Sequence, residues 1–260
     1  MSLNYSEYLK IDQLLDLQKV RSDPPEHDEM LFVIIHQVYE LWFKQLIHEF
    51  ELLKQEFRDN DLYGAIHRFQ RARTIMKTLV SQLDILETMT PMSFASFRDR
   101  LEEASGFQSV QFREMEFLLG YKRAKTLEFV PPQSPARAVL KKRLKEPTVV
   151  DCFYEFLAHH GVTIPEELKN RDLTQPTEPN EIIQQGISRL YREKPQLAIL
   201  FEQMVDYDEG QQEWRYRHVK MVERTIGNKQ GTGGSLGVAF LKQSLFKSIF
   251  PDLWAVRHEF

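Results

Sequence analysis

The chain has 260 residues, 42% of them hydrophobic, and its 34 Lys and Arg against 38 Asp and Glu leave a net charge of −4 at pH 7. This length allows one large or two small domains with a sizeable core. The net charge offers no basic field to attract nucleic acid, and the basic cluster 141–145 is interpreted as a solvated helix face. The longest apolar run, residues 30–35, is too short to cross a bilayer, and the polar residues at 4–10 are unlike the start of a signal peptide. From the charge and these two features we expect a cytoplasmic protein without a nucleic-acid or membrane partner.

Apolar residues recur at helical spacing from the start of the chain. Residues 5–19 predict a short amphipathic helix or arm that ends before Pro24 and Pro25. A long helix is predicted from Asp28, the expected N-terminal cap, to about Phe57. A second long helix is predicted over residues 61–88, antiparallel to the first.

The same helical pattern continues to the glycine-rich segment near the end. The further predicted segments are a helix at 94–101, a turn at Ser105 and Gly106, a helix through 117–120, shorter helices within 121–160, a loop-like insertion at 161–180, and long helices at 181–193 and 195–226. No alternating run is long enough to predict a strand. The chain is therefore predicted to be all-α, a single large helical bundle of long antiparallel helices.

His218 is the first candidate for a metal ligand. Trp214, Met221 and Val222 lie three or four positions from it, so the imidazole should share the buried face of its helix. A histidine in such a place is either a satisfied core residue or a ligand, and spacing leaves both open. The glycines between 231 and 237 then permit either a nest of backbone N–H groups that binds carboxylates or a flexible connector.

The number and spacing of cysteine, histidine and glutamate residues exclude several kinds of metal site. The single cysteine, Cys152, excludes an internal disulfide and cysteine-based zinc or iron–sulfur sites, and its apolar neighbours indicate a buried thiol. No Glu-x-x-His pair is present for a di-iron bundle. A macrocycle that supplies four nitrogens would need only one histidine from the protein.

Several motifs together resemble one family. They are His27 to Phe32, His36-Gln37, Glu40-Leu41-Trp42, Lys44, Ser105 to Ser109, Arg217-His218 and Gly231 to Ser235. Their order and spacing resemble the tryptophan 2,3-dioxygenases over nearly the whole chain, from Tyr5 to Phe250. The resemblance implies an enzyme with haem b, active as ferrous iron, that inserts both atoms of O₂ across the indole C2–C3 bond of L-tryptophan. The product would be N-formyl-L-kynurenine, in the first step of tryptophan degradation by the kynurenine pathway.

The resemblance also implies roles for residues around the haem. His218 matches the axial ligand of the iron, and its second ring nitrogen should donate a hydrogen bond. His36 matches the distal histidine that accepts from the indole N–H, where it would orient the substrate; action as a general base is the alternative. Ser105 and Gly106 match residues at the cofactor, and Gly106 also lies beside the substrate.

Substrate contacts are implied in the same way. Arg98 matches the clamp on the substrate carboxylate, and Thr232 matches a loop residue that contacts the carboxylate and ammonium ends. Phe32 and Phe94 match apolar walls for the indole. Some relatives carry tyrosine at the position of Phe94, which we interpret as a position that matters for shape.

The resemblance finally implies an assembly. Tyr5, Tyr8 and Leu9 match an arm that reaches a neighbouring subunit's pocket, in a homotetramer built as a dimer of dimers. We expect an arm at residues 1–22 and a helical haem-binding domain at 23–260. The competing hypotheses are a non-catalytic haem sensor or carrier, an indoleamine dioxygenase of broader specificity, and a purely structural bundle.

Overall fold

The structure is a computed structural model that describes residues 2–227, 229, 231 and 237–260. Its helices are α1 (Tyr5–Leu9), α2 (Ile11–Leu15), α3 (His27–Arg58), α4 (Leu62–Leu86), α5 (Pro91–Arg98), α6 (Val110–Leu118), α7 (Pro135–Lys145), α8 (Val149–His159), α9 (Glu166–Lys169), α10 (Glu181–Glu193), α11 (Pro195–Ile226), α12 (Val238–Lys242) and α13 (Pro251–Ala255), with 3₁₀ segments at Asp99–Leu101, Gly106–Gln108, Ala124–Phe129 and Val256–Glu259. The described residues contain no strand, which confirms the all-α prediction. No helix in these ranges is both long and apolar enough to span a membrane.

Three long helices form the frame of the bundle. Helix α4 packs along both α3 and α11, and buried aromatic rings fill the space between them. The ring of Tyr207 on α11 lies 5.2 Å from Phe50 on α3 and 6.2 Å from Phe69 on α4, measured between centroids. Complete burial of each such side chain contributes about 1.5–3 kcal/mol to stability. Gly210 permits the close approach of α11 to α4, because a methyl group there would lie 3.1 Å from Cγ of Met76.

Capping residues set the helix ends near their predicted positions. The Asp61 carboxylate accepts from the Gly64 N–H at the start of α4, and the Thr90 hydroxyl accepts from the Ser93 N–H at the start of α5. The prediction of Asp28 as the cap of α3 is wrong, because Glu26 occupies that position without a side-chain hydrogen bond. Asp28 lies in the first turn instead, where its charge still favours the exposed N–H groups.

The N-terminal segment differs from the single helix predicted over 5–19. Lys10 adopts the left-handed conformation, with φ of 55°, so the segment divides into α1 and α2. Both helices have no buried residue. Residues 21 and 22 are bound to the frame, since their N–H groups donate to the buried Glu29 carboxylate at 2.7 and 2.9 Å.

The last two long helices begin and end as predicted, at 181–193 and 195–226. Within 161–180 only the one-turn α9 is helical, in agreement with a loop-like insertion. The end of the chain is bound to α11 through Asp208, which accepts from the N–H groups of Ile249 at 2.8 Å and Phe250 at 3.0 Å and from Nε1 of Trp254 at 3.0 Å. These contacts anchor α11 ten residues before His218.

Candidate functional site

A cavity of about 280 Å³ lies among α3, α5, the 3₁₀ segment Gly106–Gln108, α6 and α11. The sequence-predicted residues that line it are Phe32, His36, Phe94, Arg98, Ser105, Gly106 and His218. They come from positions up to 186 residues apart, from 32 to 218. The fold therefore brings into one cavity most of the side chains that the resemblance singled out.

His218 occupies the cavity wall formed by α11. Its ring stacks on the indole of Trp214 one turn earlier, with centroids 5.1 Å apart and planes 9° apart. Burial, followed by the nearby charges of His36 and Arg113, lowers the pKa of His218 to about 4. The imidazole is therefore neutral at pH 7 and has a lone pair available for a metal.

His218 makes no hydrogen bond with the part of the chain that the structure describes. The expected donation from its second ring nitrogen accordingly stays a prediction. The ring is only half-buried, because its edge lines the cavity. A neutral imidazole that lines the cavity and makes no hydrogen bond to a described residue fits a metal ligand.

His36 faces the same cavity from α3. Its Nδ1 lies 2.7 Å from the carbonyl oxygen of Phe32, and a carbonyl can only accept, so the proton of the neutral ring is on Nδ1. Nε2 is then a hydrogen-bond acceptor. Burial lowers the pKa of His36 below its ordinary value of 6.5, which favours this neutral form.

An apolar wall borders His36. The ring of Phe32 lies 4.1 Å from the imidazole and 5.8 Å from the ring of Phe94, measured between centroids. Phe97, fully buried beneath them, holds Phe94 edge-on at 5.4 Å. Arg98, the last residue of α5, follows directly and also lines the cavity. An apolar wall next to the positively charged Arg98 is an environment suited to an aromatic amino acid.

The turn at Ser105 and Gly106 closes another side. The Ser105 hydroxyl accepts from the Phe107 N–H at 3.3 Å and starts the 3₁₀ segment. A methyl group added at Gly106 would meet no atom of the described residues within 4 Å, so these residues leave space beside its backbone. A bound molecule can therefore approach this backbone closely.

Three of the remaining predicted residues, all on the N-terminal segment, are not in the cavity of this chain. Tyr5, Tyr8 and Leu9 are 73%, 70% and 42% exposed and line no part of it. Thr232 lies outside the described residues. Cys152 is buried as expected, and burial raises the pKa of its thiol to about 12, so the thiol is unreactive.

Sequence reasoning missed a cluster of four charged residues that line the cavity, Arg113, Glu116, Arg123 and Arg215. Nη1 of Arg113 donates to the Glu116 carboxylate at 2.6 Å, and Nη2 of Arg123 donates to it at 2.8 Å. Nη2 of Arg215 lies 3.8 Å from the same carboxylate. The signal in the sequence was the spacing of three between Arg113 and Glu116 and between Arg215 and His218, which places each pair on one helix face.

The metal-binding side chains of the described residues limit the kinds of metal site that the cavity could form. Among the described residues there is no group of three or more His, Cys, Asp or Glu that could hold a bare ion. The neutral imidazole of His218, which makes no hydrogen bond to a described residue, instead fits a metal carried by a macrocycle in this largely apolar cavity. Haem satisfies this requirement.

The chain is similar over nearly its whole length to known proteins. A family model described as tryptophan 2,3-dioxygenase matches residues 1–132 and 185–259. Proteins named tryptophan 2,3-dioxygenase are 53% identical in Herpetosiphon aurantiacus, over 98% of this chain and 98% of the relative, and 46% identical in Anaeromyxobacter sp. strain K, over 98% and 96%. The relative from Bacillus thuringiensis subsp. konkukian is 39% identical over 98% and 92%. The residues between the two matched parts, 133–184, include α7, α8 and α9 and contain none of the predicted site residues.

Proposed function

The chain belongs to the tryptophan 2,3-dioxygenase family, its activity is the oxidative cleavage of L-tryptophan, and we propose that substrate and haem share the cavity between α3, α5 and α11. The reaction inserts both atoms of O₂ across the indole C2–C3 bond and yields N-formyl-L-kynurenine. The observation that carries the proposal is that His36 and His218, both neutral, face one largely apolar cavity from two different helices.

The two histidines differ in what their surroundings permit. The Nδ1 of His36 is occupied by the Phe32 carbonyl, so only Nε2 can act in the cavity, as an acceptor. His218 has no such bond to a described residue, and we propose that it would hold the iron of haem b. When bound, the ferrous haem supplies the activation of O₂.

His36 would accept the indole N–H through Nε2. This hydrogen bond orients the indole plane, because Phe32 at 4.1 Å limits movement of the imidazole. Indole is electron-rich enough at C3 to react without prior deprotonation, so orientation is the main role proposed for His36. General-base catalysis by the same nitrogen is the alternative.

Arg98 and the phenyl rings complete the substrate site. The guanidinium of Arg98 would bind the substrate carboxylate, and a planar guanidinium can donate to both oxygens. Phe32 and Phe94 form the wall beside the indole, and the absence of a hydroxyl at Phe94 gives that wall a purely steric role. Thr232 is proposed, from the family resemblance alone, to contact both ends of the amino acid.

The exposed N-terminal segment supports an exchange between subunits. Tyr5 and Tyr8 present large apolar surfaces to solvent on a segment that has no buried residue of its own. Such a surface is costly unless a partner covers it. We therefore propose that residues 1–22 reach the pocket of a neighbouring subunit, that 23–260 form the catalytic domain, and that the protein is a cytoplasmic homotetramer.

The test of this function is direct. Purified ferrous protein is mixed with L-tryptophan in air, and the absorbance of N-formylkynurenine is followed. We expect product with the natural protein and with His48→Ala, a control at an exposed histidine on α3. His218→Ala should give none.

Two outcomes would favour other functions. Stable binding of haem through His218 without product from any indole would indicate a haem sensor or carrier. Equal kcat/KM for L-tryptophan and tryptamine would indicate a broader indoleamine dioxygenase in which Arg98 does not select the carboxylate.

A further inference from the structure

A buried carboxylate that the proposed chemistry does not use lies at the base of the N-terminal arm. Glu29, in the first turn of α3, is 2% exposed. Its Oε1 accepts from the Arg21 N–H at 2.7 Å, and its Oε2 accepts from the Ser22 N–H at 2.9 Å and from the Ser22 hydroxyl. One side chain of α3 therefore holds two successive residues of the arm.

The Glu29 carboxylate is ionised when it makes these bonds. Burial alone would raise the pKa of Glu29, but the hydrogen bonds from Ser22 and Arg21, together with the charge of Arg100, outweigh burial and hold the pKa below its usual value. Hydrogen bonds to an ionised carboxylate are stronger than those to a neutral acceptor. The attachment of residues 21 and 22 to α3 is therefore strong at physiological pH.

A second set of contacts holds the residues just before Ser22. Nε2 of Gln37 donates to the carbonyl oxygen of Leu17 at 3.2 Å, and Nε2 of Gln18 donates to Oε1 of Gln37 at 2.5 Å. Gln37 is on α3, as Glu29 is. We call residues 17–22, which are attached to α3 at both ends, the arm root.

The arm is exposed before its root. Residues 2–10 and 12–16 are exposed, and neither α1 nor α2 has a buried residue. Packing on its own subunit therefore does not set where this part of the chain points. The direction of the arm depends instead on the arm root and on the Glu29 carboxylate that holds it.

We propose that Glu29 acts on the neighbouring subunit: it fixes the direction in which the arm leaves its own subunit, and thereby positions Tyr5 and Tyr8 in the neighbour's pocket. This inference rests on the proposed function, since it presupposes exchange of the arm. Glu29 touches no substrate in this arrangement, so it is a positioning residue. A change at Glu29 should damage the neighbour's pocket and leave its own pocket intact.

The alternative is an action of Glu29 on its own pocket. Phe32 lies one turn further along α3 and lines the cavity. Loss of the Glu29 hydrogen bonds would then disturb this turn and the apolar wall that Phe32 forms. The two actions differ in which subunit loses activity, so oligomers of mixed subunits distinguish them.

Two variants remove the attachment from opposite sides. Glu29→Gln replaces one acceptor oxygen by an NH₂ group that faces a donor, whereas Ser22→Ala removes the hydroxyl without any change in α3. We expect N-formylkynurenine formation per bound haem to fall about fivefold or more in each, as for one buried group left without its partner. Glu49→Gln is the matched control, because Glu49 is also 2% exposed on α3 but pairs with Arg68 and Arg71 of α4; its turnover per haem should stay natural.

Mixed oligomers give the decisive measurement. Glu29→Gln subunits are coexpressed with His218→Ala subunits that carry a second tag, and oligomers containing both are purified through the two tags. The His218→Ala subunits keep a natural arm but should hold no haem, so turnover per haem reports the pockets of the Glu29→Gln subunits alone. We expect it to rise above the value of uniform Glu29→Gln oligomers, because natural arms now enter those pockets. Ser22→Ala subunits should recover in the same way.

A second comparison needs no mixed oligomer. Deletion of residues 1–9 removes Tyr5, Tyr8 and Leu9 from every subunit. If Glu29 acts only through the arm, adding Glu29→Gln to the shortened chain should cause no further loss of turnover per haem, because two changes in one pathway are not additive.

Three results would overturn the role of Glu29. One is natural turnover per haem in both Glu29→Gln and Ser22→Ala. Another is turnover in mixed oligomers that stays as low as in uniform ones, and the third is a further loss when Glu29→Gln is added to the shortened chain; both would show that Glu29 supports its own pocket. Formation of N-formylkynurenine by the natural protein tests the proposed function separately, so any of these results beside normal product formation rejects the role of Glu29 alone.

Discussion

The variant His36→Ala, assayed with a methylated substrate, tests how the indole of the substrate is oriented in the cavity. N1-methyl-L-tryptophan lacks the indole N–H and adds bulk at the proposed position of Nε2. The imidazole cannot turn away easily, because Nδ1 is bound to the Phe32 carbonyl at 2.7 Å and the Phe32 ring lies 4.1 Å away.

The size of the effect follows from these contacts. A buried acceptor left without a donor costs about 1–3 kcal/mol, which is roughly fivefold to hundredfold in kcat/KM. The steric clash of the methyl group adds to this penalty. N1-methyl-L-tryptophan should therefore be a poor substrate for the natural protein, while His36→Ala removes both penalties and leaves space for the methyl group.

The measured quantity is the ratio of kcat/KM for methylated tryptophan to kcat/KM for tryptophan. This ratio cancels general losses of folding or haem content, and His48→Ala on the same helix serves as the control. The ratio should rise at least fivefold, roughly the lower bound above, in His36→Ala and stay natural in His48→Ala. An unchanged or lower ratio in His36→Ala would refute the proposed orientation. Complete loss of tryptophan turnover, with haem and substrate still bound, would instead favour general-base catalysis.

Four further predictions follow from the site. His218→Ala should lose stable haem, measured by the haem absorbance of the purified protein, and a retained histidine-ligated spectrum would contradict the axial assignment. Arg98→Ala should lower kcat/KM for tryptophan by about tenfold to hundredfold, as for a hydrogen bond to a charged group of 1.5–3 kcal/mol; unchanged kcat/KM, with tryptamine used equally well, would exclude the clamp. Because burial lowers the pKa of His36 below 6.5, the imidazole stays a neutral acceptor down to that pH; kcat/KM should fall only at lower pH, and His36→Ala should lack this acid limb in its pH profile. Deletion of residues 1–9 should impair turnover while haem stays on His218, and full activity at low protein concentration would show that the arm only packs locally.

Much of the fold could be predicted from local patterns. Helices α10 and α11 begin and end where the apolar period, Pro195 and Gly227 indicated, because capping and helix stops depend on residues close in sequence. The predicted helix at 5–19 failed at Lys10, whose left-handed conformation no local rule anticipated. The solvated face at 141–145 holds for the lysines but not for Arg143, which binds Glu114 and Glu146 at 2.8 and 2.9 Å.

For the candidate site too, one part could be predicted from the sequence and another part depends on the tertiary structure. The face on which His218 lies was predicted from its own helix, and the family resemblance identified His36, Arg98 and Gly106 as its companions. Periodicity shows which side of a helix is buried, but it does not show which other helix covers that side. The approach of α3 to α11, the hydrogen bond that makes Nε2 of His36 an acceptor and the gathering of Arg113, Arg123 and Arg215 around Glu116 all depend on contacts between distant parts of the chain. Only the tertiary structure decided them, because such contacts are set by packing of the whole bundle and not by any single segment.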